Sequence, residues 1–161
     1  FNTPSGKVEL YSSLLEENGC DPMPVYIEPF QSPISTPELA EKYPYILTTG
    51  GRVPVFRHSE NRSNPLLREI HPRATILIHP ATAAAHDIHE GDRVVIESNA
   101  GRATGYARLT EGIQPDVIQA TPGWNGTDNI NYVVPWGKFA QGIGSVSMRG
   151  ILCRVEKAEN K

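Results

Sequence analysis

Residues 74–109 read Ala74-Thr-Ile-Leu-Ile78-His-Pro-Ala-Thr-Ala-Ala-Ala-His86-Asp-Ile-His-Glu-Gly-Asp92-Arg-Val-Val-Ile-Glu-Ser98-Asn-Ala-Gly101-Arg-Ala-Thr-Gly-Tyr-Ala-Arg-Leu109. Thr75, Ile76, Leu77 and Ile78 are good strand formers and predict a strand over 74–78. Pro80 followed by alanines predicts a short helix over 79–86, because proline suits the first helical turn and alanine the interior. Ile88 to Asp92 turns the chain into a strand over 93–98, where Val94 and Ile96 alternate with Arg93, Val95 and Glu97. Asn99-Ala100-Gly101 is a hairpin turn, answered by a strand over 102–109.

Working outward, Thr110–Asp116 reads as a turn before a short strand at 117–120, and 151–156 as a closing strand. Upstream, Tyr45–Thr48 is a further strand. A chain that is mainly β, with about six short strands and one inserted helix, predicts a small closed β-barrel, since closure removes unpaired edges.

The remaining segments frame this barrel. Val8, Leu10, Tyr11, Leu14 and Leu15 have near-helical spacing, and Asn18-Gly19 supplies a stop. Prolines 22, 24, 29, 33 and 37 make 21–37 an extended connector, because such density defeats helix and most sheet pairing. Pro37–Lys42 is predicted to form one helical turn. The expected division is a connector over 1–42 lying on the domain, a barrel over 43–157 and a tail over 158–161.

Composition narrows the function. The chain has 161 residues, enough for one domain with a real core, and a formal charge of −3, without the basic footprint of a nucleic-acid binder. Its apolar runs fall short of the ~18–20 residues of a membrane span. Cys20 and Cys153 are far apart and form no C-x-x-C pair, so neither a zinc ribbon nor an iron–sulfur cluster is written here. Cys153, in Gly-Ile-Leu-Cys-Arg-Val, reads as a small core residue. His79 and His86 are spaced too widely for a helical zinc pair, and no G-x-S-x-G, P-loop or G-x-G-x-x-G occurs.

Two stretches carry chemistry. The first is Tyr45-Ile-Leu-Thr-Thr-Gly-Gly-Arg52, followed by His58-Ser-Glu-Asn-Arg62. A strand stopping at Thr49-Gly50-Gly51 leaves main-chain N–H groups without a ladder partner, and glycine lets a ligand approach closely. Arg52 and Arg62 supply planar, multi-donor cations suited to phosphates and carboxylates. The alternative is a bulge and a loop with solvated arginines. The second stretch, Trp124 to Asn131, brings an indole together with the amides of Asn125, Asn129 and Asn131; amides donate and accept, as reading a nitrogen heterocycle requires. Its alternative is a set of ordinary Asn-rich turns. Gly144-Ser145 is also the dipeptide at which self-cleaving pyruvoyl enzymes form their cofactor.

Taken in order, these residues resemble the C-terminal domain of the molybdopterin oxidoreductases related to dimethyl sulfoxide reductase. The resemblance rests on Phe1-Asn-Thr-Pro-Ser-Gly-Lys-Val-Glu-Leu-Tyr11, Leu47-Thr-Thr-Gly-Gly-Arg52, His58-Ser-Glu-Asn-Arg62, Ile76-Leu-Ile-His-Pro-Ala-Thr-Ala83, Asp87-Ile-His-Glu-Gly-Asp-Arg-Val94, Gly123-Trp124, Asn129-Ile-Asn-Tyr132 and Cys153-Arg-Val-Glu-Lys157. One departure is the doubled glycine before Arg52, where the family commonly has a single one.

The resemblance implies a double-psi β-barrel that helps to hold a bis-molybdopterin guanine dinucleotide cofactor carrying molybdenum or tungsten. It implies one domain of a much larger enzyme, cytoplasmic or periplasmic, with the metal ligand on upstream catalytic domains of the same polypeptide. An iron–sulfur electron-transfer subunit is a further implied partner. The cofactor-binding residues it implies are Thr49, Gly50, Gly51, Arg52, His58, Ser59, Arg62, Gly123, Trp124, Asn129, Asn131 and Arg149, with no catalytic residue and no metal ligand among them. A free-standing double-psi barrel serving as an adaptor, docking through 21–37, is the competing reading.

Overall fold

Alternation of inward and outward residues builds the barrel. The computed structural model describes residues 1–51, 53–137, 139, 144–146 and 148–159, with Arg149 described by its backbone alone. Six strands, β1 (Tyr45–Thr48), β2 (Thr75–Ile78), β3 (Arg93–Glu97), β4 (Arg102–Leu109), β5 (Val117–Ala120) and β6 (Arg149–Lys157), close in the order β1-β5-β2-β4-β3-β6. β1 runs parallel to β5 and β2 parallel to β4, while the other four contacts are antiparallel. This mixed, closed arrangement is the double-psi β-barrel that the resemblance implies.

Every strand sends alternate residues inward, as the period of two requires. Leu47, Ile76, Ile78, Val94, Ile96, Ile118, Ile151, Cys153 and Val155 fill the interior at 2% exposure or less. β4 contributes the smaller Ala103 and Ala107, and between them Gly105 leaves the space that the Ile76 side chain fills: a Cβ there would lie 2.7 Å from Ile76 Cδ1. Small residues opposite large ones let a narrow barrel pack without voids.

The predicted strands lie within a residue or two of those observed, and the predicted helical turn at 37–42 is α2 (Pro37–Lys42). The helix expected after His79 is α4 (Pro80–Ala85), whose first turn is capped by His79 Nδ1 accepting from the Ala81 N–H at 3.1 Å. Near the N-terminus, α1 (Ser13–Glu17) starts later than the apolar spacing suggests and buries no residue, although Asn18-Gly19 ends it as expected. α3 (Pro65–Ile70) was not anticipated.

One irregularity borders the site. Between Leu47↔Ile151 and Thr48↔Arg149 the β1–β6 register skips Gly150, which takes a positive φ of 68° as the extra residue of a bulge. β1 therefore ends in a kink, with Thr49 to Gly51 beyond it.

Candidate functional site

Two loops at one end of the barrel meet to form the site. The first leaves β1 and folds over Phe56, a core residue. Glu60 N–H returns to Arg57 C=O at 2.9 Å, and His58 and Asn61 adopt positive φ values of 54° and 67°, which makes 57–61 a tight turn. The second leaves β5 through Thr121, Pro122 and Gly123.

The loops touch at Gly123. Its φ is +85°, and a Cβ there would lie 2.4 Å from the carbonyl carbon and oxygen of His58 and 2.8 Å from the nitrogen of Ser59. Only glycine tolerates that backbone and that approach together. Arg62 bridges the same junction: its Nε–H donates to His58 C=O at 3.0 Å and an Nη2–H to Pro122 C=O at 2.8 Å. The guanidinium carbon lies 3.9 Å from the Trp124 ring centre and 4.4 Å from that of Phe56, a cation in the corner of two rings that meet at 86°. Burial lowers the Arg62 pKa from its ordinary value, and its remaining nitrogen, Nη1, is buried without a partner among the described residues.

His71 completes the cluster as the C-terminal cap of α3, with its ring centre 6.0 Å from that of Phe56 and 6.1 Å from that of Trp124. Burial, then the nearby charges of Arg62 and Arg108, hold its pKa below the ordinary histidine value. His71 Nε2 and Trp124 Nε1 are, like Arg62 Nη1, buried and without a partner among the described residues. Three orphaned polar atoms in one aromatic cluster are unusual, since leaving each unsatisfied costs about 1–3 kcal/mol.

The asparagine loop is held from below. Asp128 takes both Arg93 guanidinium nitrogens, at 3.3 Å from Nη1 and closer still from Nη2, and accepts from Thr104 Oγ1 at 2.7 Å. Ile130 and Val133, in a short 3-10 turn (Ile130–Val133), sink into the core, and Ser98 Oγ donates to Val133 C=O at 2.7 Å. The loop therefore reaches the cleft from a fixed base. Asn129 Oδ1 accepts from Asn131 N–H at 3.1 Å, capping that turn, which orients the Asn129 side chain.

Between the loops lies a cleft of about 530 Å³ walled by Phe56, Ser59, Arg62, Ser63, Arg68, Gly123, Trp124, Asn125, Asn129 and Asn131. The structure thus brings Ser59, Arg62, Gly123, Trp124, Asn129 and Asn131 together. Gly51 and His58 line a narrow adjoining recess that shares Phe56 and Arg62 with the cleft. Thr49 is buried, with Oγ1 donating to Met148 C=O at 2.7 Å, so its hydroxyl serves the barrel; Gly50 is exposed beside it. Arg52 and the Arg149 side chain lie outside the described residues.

Sequence reasoning missed Phe56, Arg68 and His71. Asn64-Pro65 was the signal for two of them: Asn64 Oδ1 caps α3 by accepting from Leu66 N–H at 3.1 Å, and that helix presents Arg68 and ends at His71.

Comparison with known proteins agrees with this geometry. The sequence profile of the molydopterin dinucleotide binding domain matches residues 45–146. The chain is 42% identical over 114 residues to acetylene hydratase of Syntrophotalea acetylenica, covering 71% of this chain and 16% of that protein. It is 38% identical over 126 residues to dopamine dehydroxylase of Eggerthella lenta, covering 76% of this chain and 12% of that one. The solved structure of acetylene hydratase from Pelobacter acetylenicus superposes with a TM-score of 0.86 at 32% identity, covering 97% of this chain and 24% of that chain. The chain spans well under a third of the length of each of these relatives. It belongs to the molydopterin dinucleotide binding domain family, within the molybdopterin oxidoreductases.

Proposed function

We propose that this chain is the cofactor-holding domain of a larger molybdenum or tungsten oxidoreductase, and that its cleft grips a molybdopterin guanine dinucleotide jointly with other domains of the same polypeptide. The observation that carries this reading is Arg62, a partly buried cation set against the rings of Phe56 and Trp124 that lines the cleft. Among the described residues no carboxylate pairs with it, so the wall favours an anion.

The residues present fit such a group. A dinucleotide offers phosphates, which suit Arg62 and Arg68, and heterocycle edges, which suit the amides of Asn125, Asn129 and Asn131. Ser59, His58 and the main chain at Gly50 and Gly51 would border the same molecule, with Arg52 and Arg149 as further candidate cations and Thr49 supporting the strand end beneath. The bound group supplies the metal-centred redox chemistry. This chain binds it, orients it and shields it from water. In the same reading 43–157 is the cofactor-holding barrel, 1–42 joins it to the rest of the polypeptide and 158–161 is a tail.

The test is to purify the polypeptide that carries this chain, release bound nucleotide with acid and measure guanine nucleotide and metal. Guanine nucleotide accompanied by molybdenum or tungsten is the expected result, with both reduced in Arg62→Leu. Absence of nucleotide and metal from active, folded protein would overturn the reading in favour of an adaptor.

A further inference from the structure

Asparagine followed by glycine is chemically labile, because the glycine nitrogen reaches the side-chain carbonyl carbon without a Cβ in the way. The chain holds this dipeptide twice, as Asn18-Gly19 and Asn125-Gly126, and the fold treats the two differently.

Asn18-Gly19 is tied down at both reacting groups. Asn18 Nδ2–H donates to Leu14 C=O at 2.7 Å and Gly19 N–H to Glu16 C=O at 2.9 Å, the bonds of a helix end. At Asn125-Gly126 only the carbonyls are engaged: Asn125 C=O accepts from Asp128 N–H at 3.3 Å and Gly126 C=O from Asn129 N–H at 3.2 Å. The Asn125 side chain makes no capping bond to the 3-10 turn that follows it (Gly126–Asp128). Neither its amide nor the Gly126 N–H has a hydrogen-bond partner among the described residues.

Backbone shape favours the same position. Closure of a five-membered imide needs Cβ and the next nitrogen nearly eclipsed about the Cα–C bond. The extended ψ of 179° at Asn125 is a shorter rotation from that shape than the ψ of 11° at Asn18. Asn125 and Gly126 are exposed, and nothing lies within 4 Å of where a Cβ on Gly126 would stand, so the ring has room to form and water to open it.

We propose that Asn125 is a self-modification site on the wall of the cleft. The Gly126 nitrogen attacks Asn125 Cγ; the new N–C bond forms, the Cγ–Nδ2 bond breaks, and the amide group leaves as ammonia with the proton from Gly126. Water then adds across one of the two imide C–N bonds. Opening at Cγ gives aspartate, and opening at the main-chain carbonyl gives isoaspartate, whose backbone runs through Cβ and Cγ. Either product puts a carboxylate on the wall that Asn125 shares with Arg62 and Arg68. That carboxylate competes with a phosphate for the arginine donors and repels it. An empty cleft therefore loses its anion site with time. The modification follows from the loop alone; its effect on binding rests on the proposed reading of the cleft.

The test incubates the polypeptide that carries this chain, prepared free of nucleotide, at mildly alkaline pH and follows its peptides by mass spectrometry. Asn125 is expected to convert to a mixture of aspartate and isoaspartate at least roughly tenfold faster than Asn18, whose two hydrogen bonds must open first. Gly126→Ala is expected to slow the conversion, since its methyl shields the attacking nitrogen. Asn125 staying intact, converting no faster than Asn18, or yielding aspartate alone would overturn the proposal. Fresh Asn125→Asp polypeptide is expected to retain less than half the guanine nucleotide of fresh wild type, and Asn125→Gln, which keeps an amide, more than Asn125→Asp. Equal nucleotide in Asn125→Asp and wild type would overturn the effect on the cleft. Absence of nucleotide from fresh, unconverted wild type would remove the cofactor reading and leave the mass-spectrometric result standing.

Discussion

Gly123→Ala is the sharpest perturbation of the site. The new methyl would lie 2.4 Å from the His58 carbonyl, where ordinary contact begins at 3.4 Å, so the two loops must separate by about an ångström. The atoms met are main-chain atoms of a tight turn and cannot swing aside. A non-glycine residue at φ +85° adds about 1–2 kcal/mol, and forced overpacking about 1–3 kcal/mol, for a total of roughly 2–5 kcal/mol. In a chain of this size each kcal/mol lowers Tm by roughly 2–4 °C, so a drop of at least ~4 °C is expected in thermal denaturation. Gly126→Ala is the control: its φ is +60°, but nothing lies within 4 Å of the added methyl, so it carries the backbone strain without the clash. Separation of the loops would also loosen the Arg62 bond to Pro122 and expose Trp124, red-shifting the indole emission in Gly123→Ala and not in Gly126→Ala. Equal melting temperatures and equal emission in the two variants would refute the close-approach argument.

Arg62→Leu leaves the His58 and Pro122 carbonyls without their donor and removes the cation from the two aromatic rings; a loss of about 1–3 kcal/mol in urea denaturation is expected, with Arg62→Lys recovering part of it. His71 has its folded pKa depressed, so the unfolded chain takes up the proton first as pH falls; stability should decline through the ordinary histidine range near ~6.5 and level off below the folded value, and a series of melts on His71→Gln should show a shallower decline. Glu97 has its folded pKa lowered, its burial outweighed by Arg154 and Arg102 together, so the stability it contributes is present above the ordinary carboxylate range and is lost as pH falls through the folded value; Glu97→Gln should flatten that acid limb. Leu47→Ala, at a fully buried position in the barrel interior, should cost about 2–5 kcal/mol in the same denaturation assay without altering the shape of the pH profile.

The barrel was legible because its information is local and periodic. Val94 and Ile96, or Ile151, Cys153 and Val155, declare an inward face by alternation alone, and Asn99-Ala100-Gly101 declares its hairpin. The burial of Thr49 was not readable: its motif points to a residue at the cofactor, whereas it lies past the end of β1 with its side chain buried. The site was legible in its parts and not in its assembly. Arg62 and Trp124 stand in separate motifs, and nothing local indicates that they stack; their meeting depends on β1 pairing in parallel with β5, which sets the two following loops side by side. His71 escaped because α3 buries no residue and so carries no apolar period, only a cap. At the N-terminus the apolar spacing over 8–15 yields a helix only from Ser13 to Glu17, and it buries none of its residues.

The pairing of β6 with both β1 and β3 has a consequence for biosynthesis. The ring cannot shut until residues 149–157 have been translated and released from the ribosome, because before then β1 and β3 each present an open edge. Segments 45–120 must wait in that state, with long-range pairs still to form, which is the slow and aggregation-exposed phase of a fold rich in distant contacts. Until that last strand arrives, the barrel that carries both cleft loops stays open along one seam.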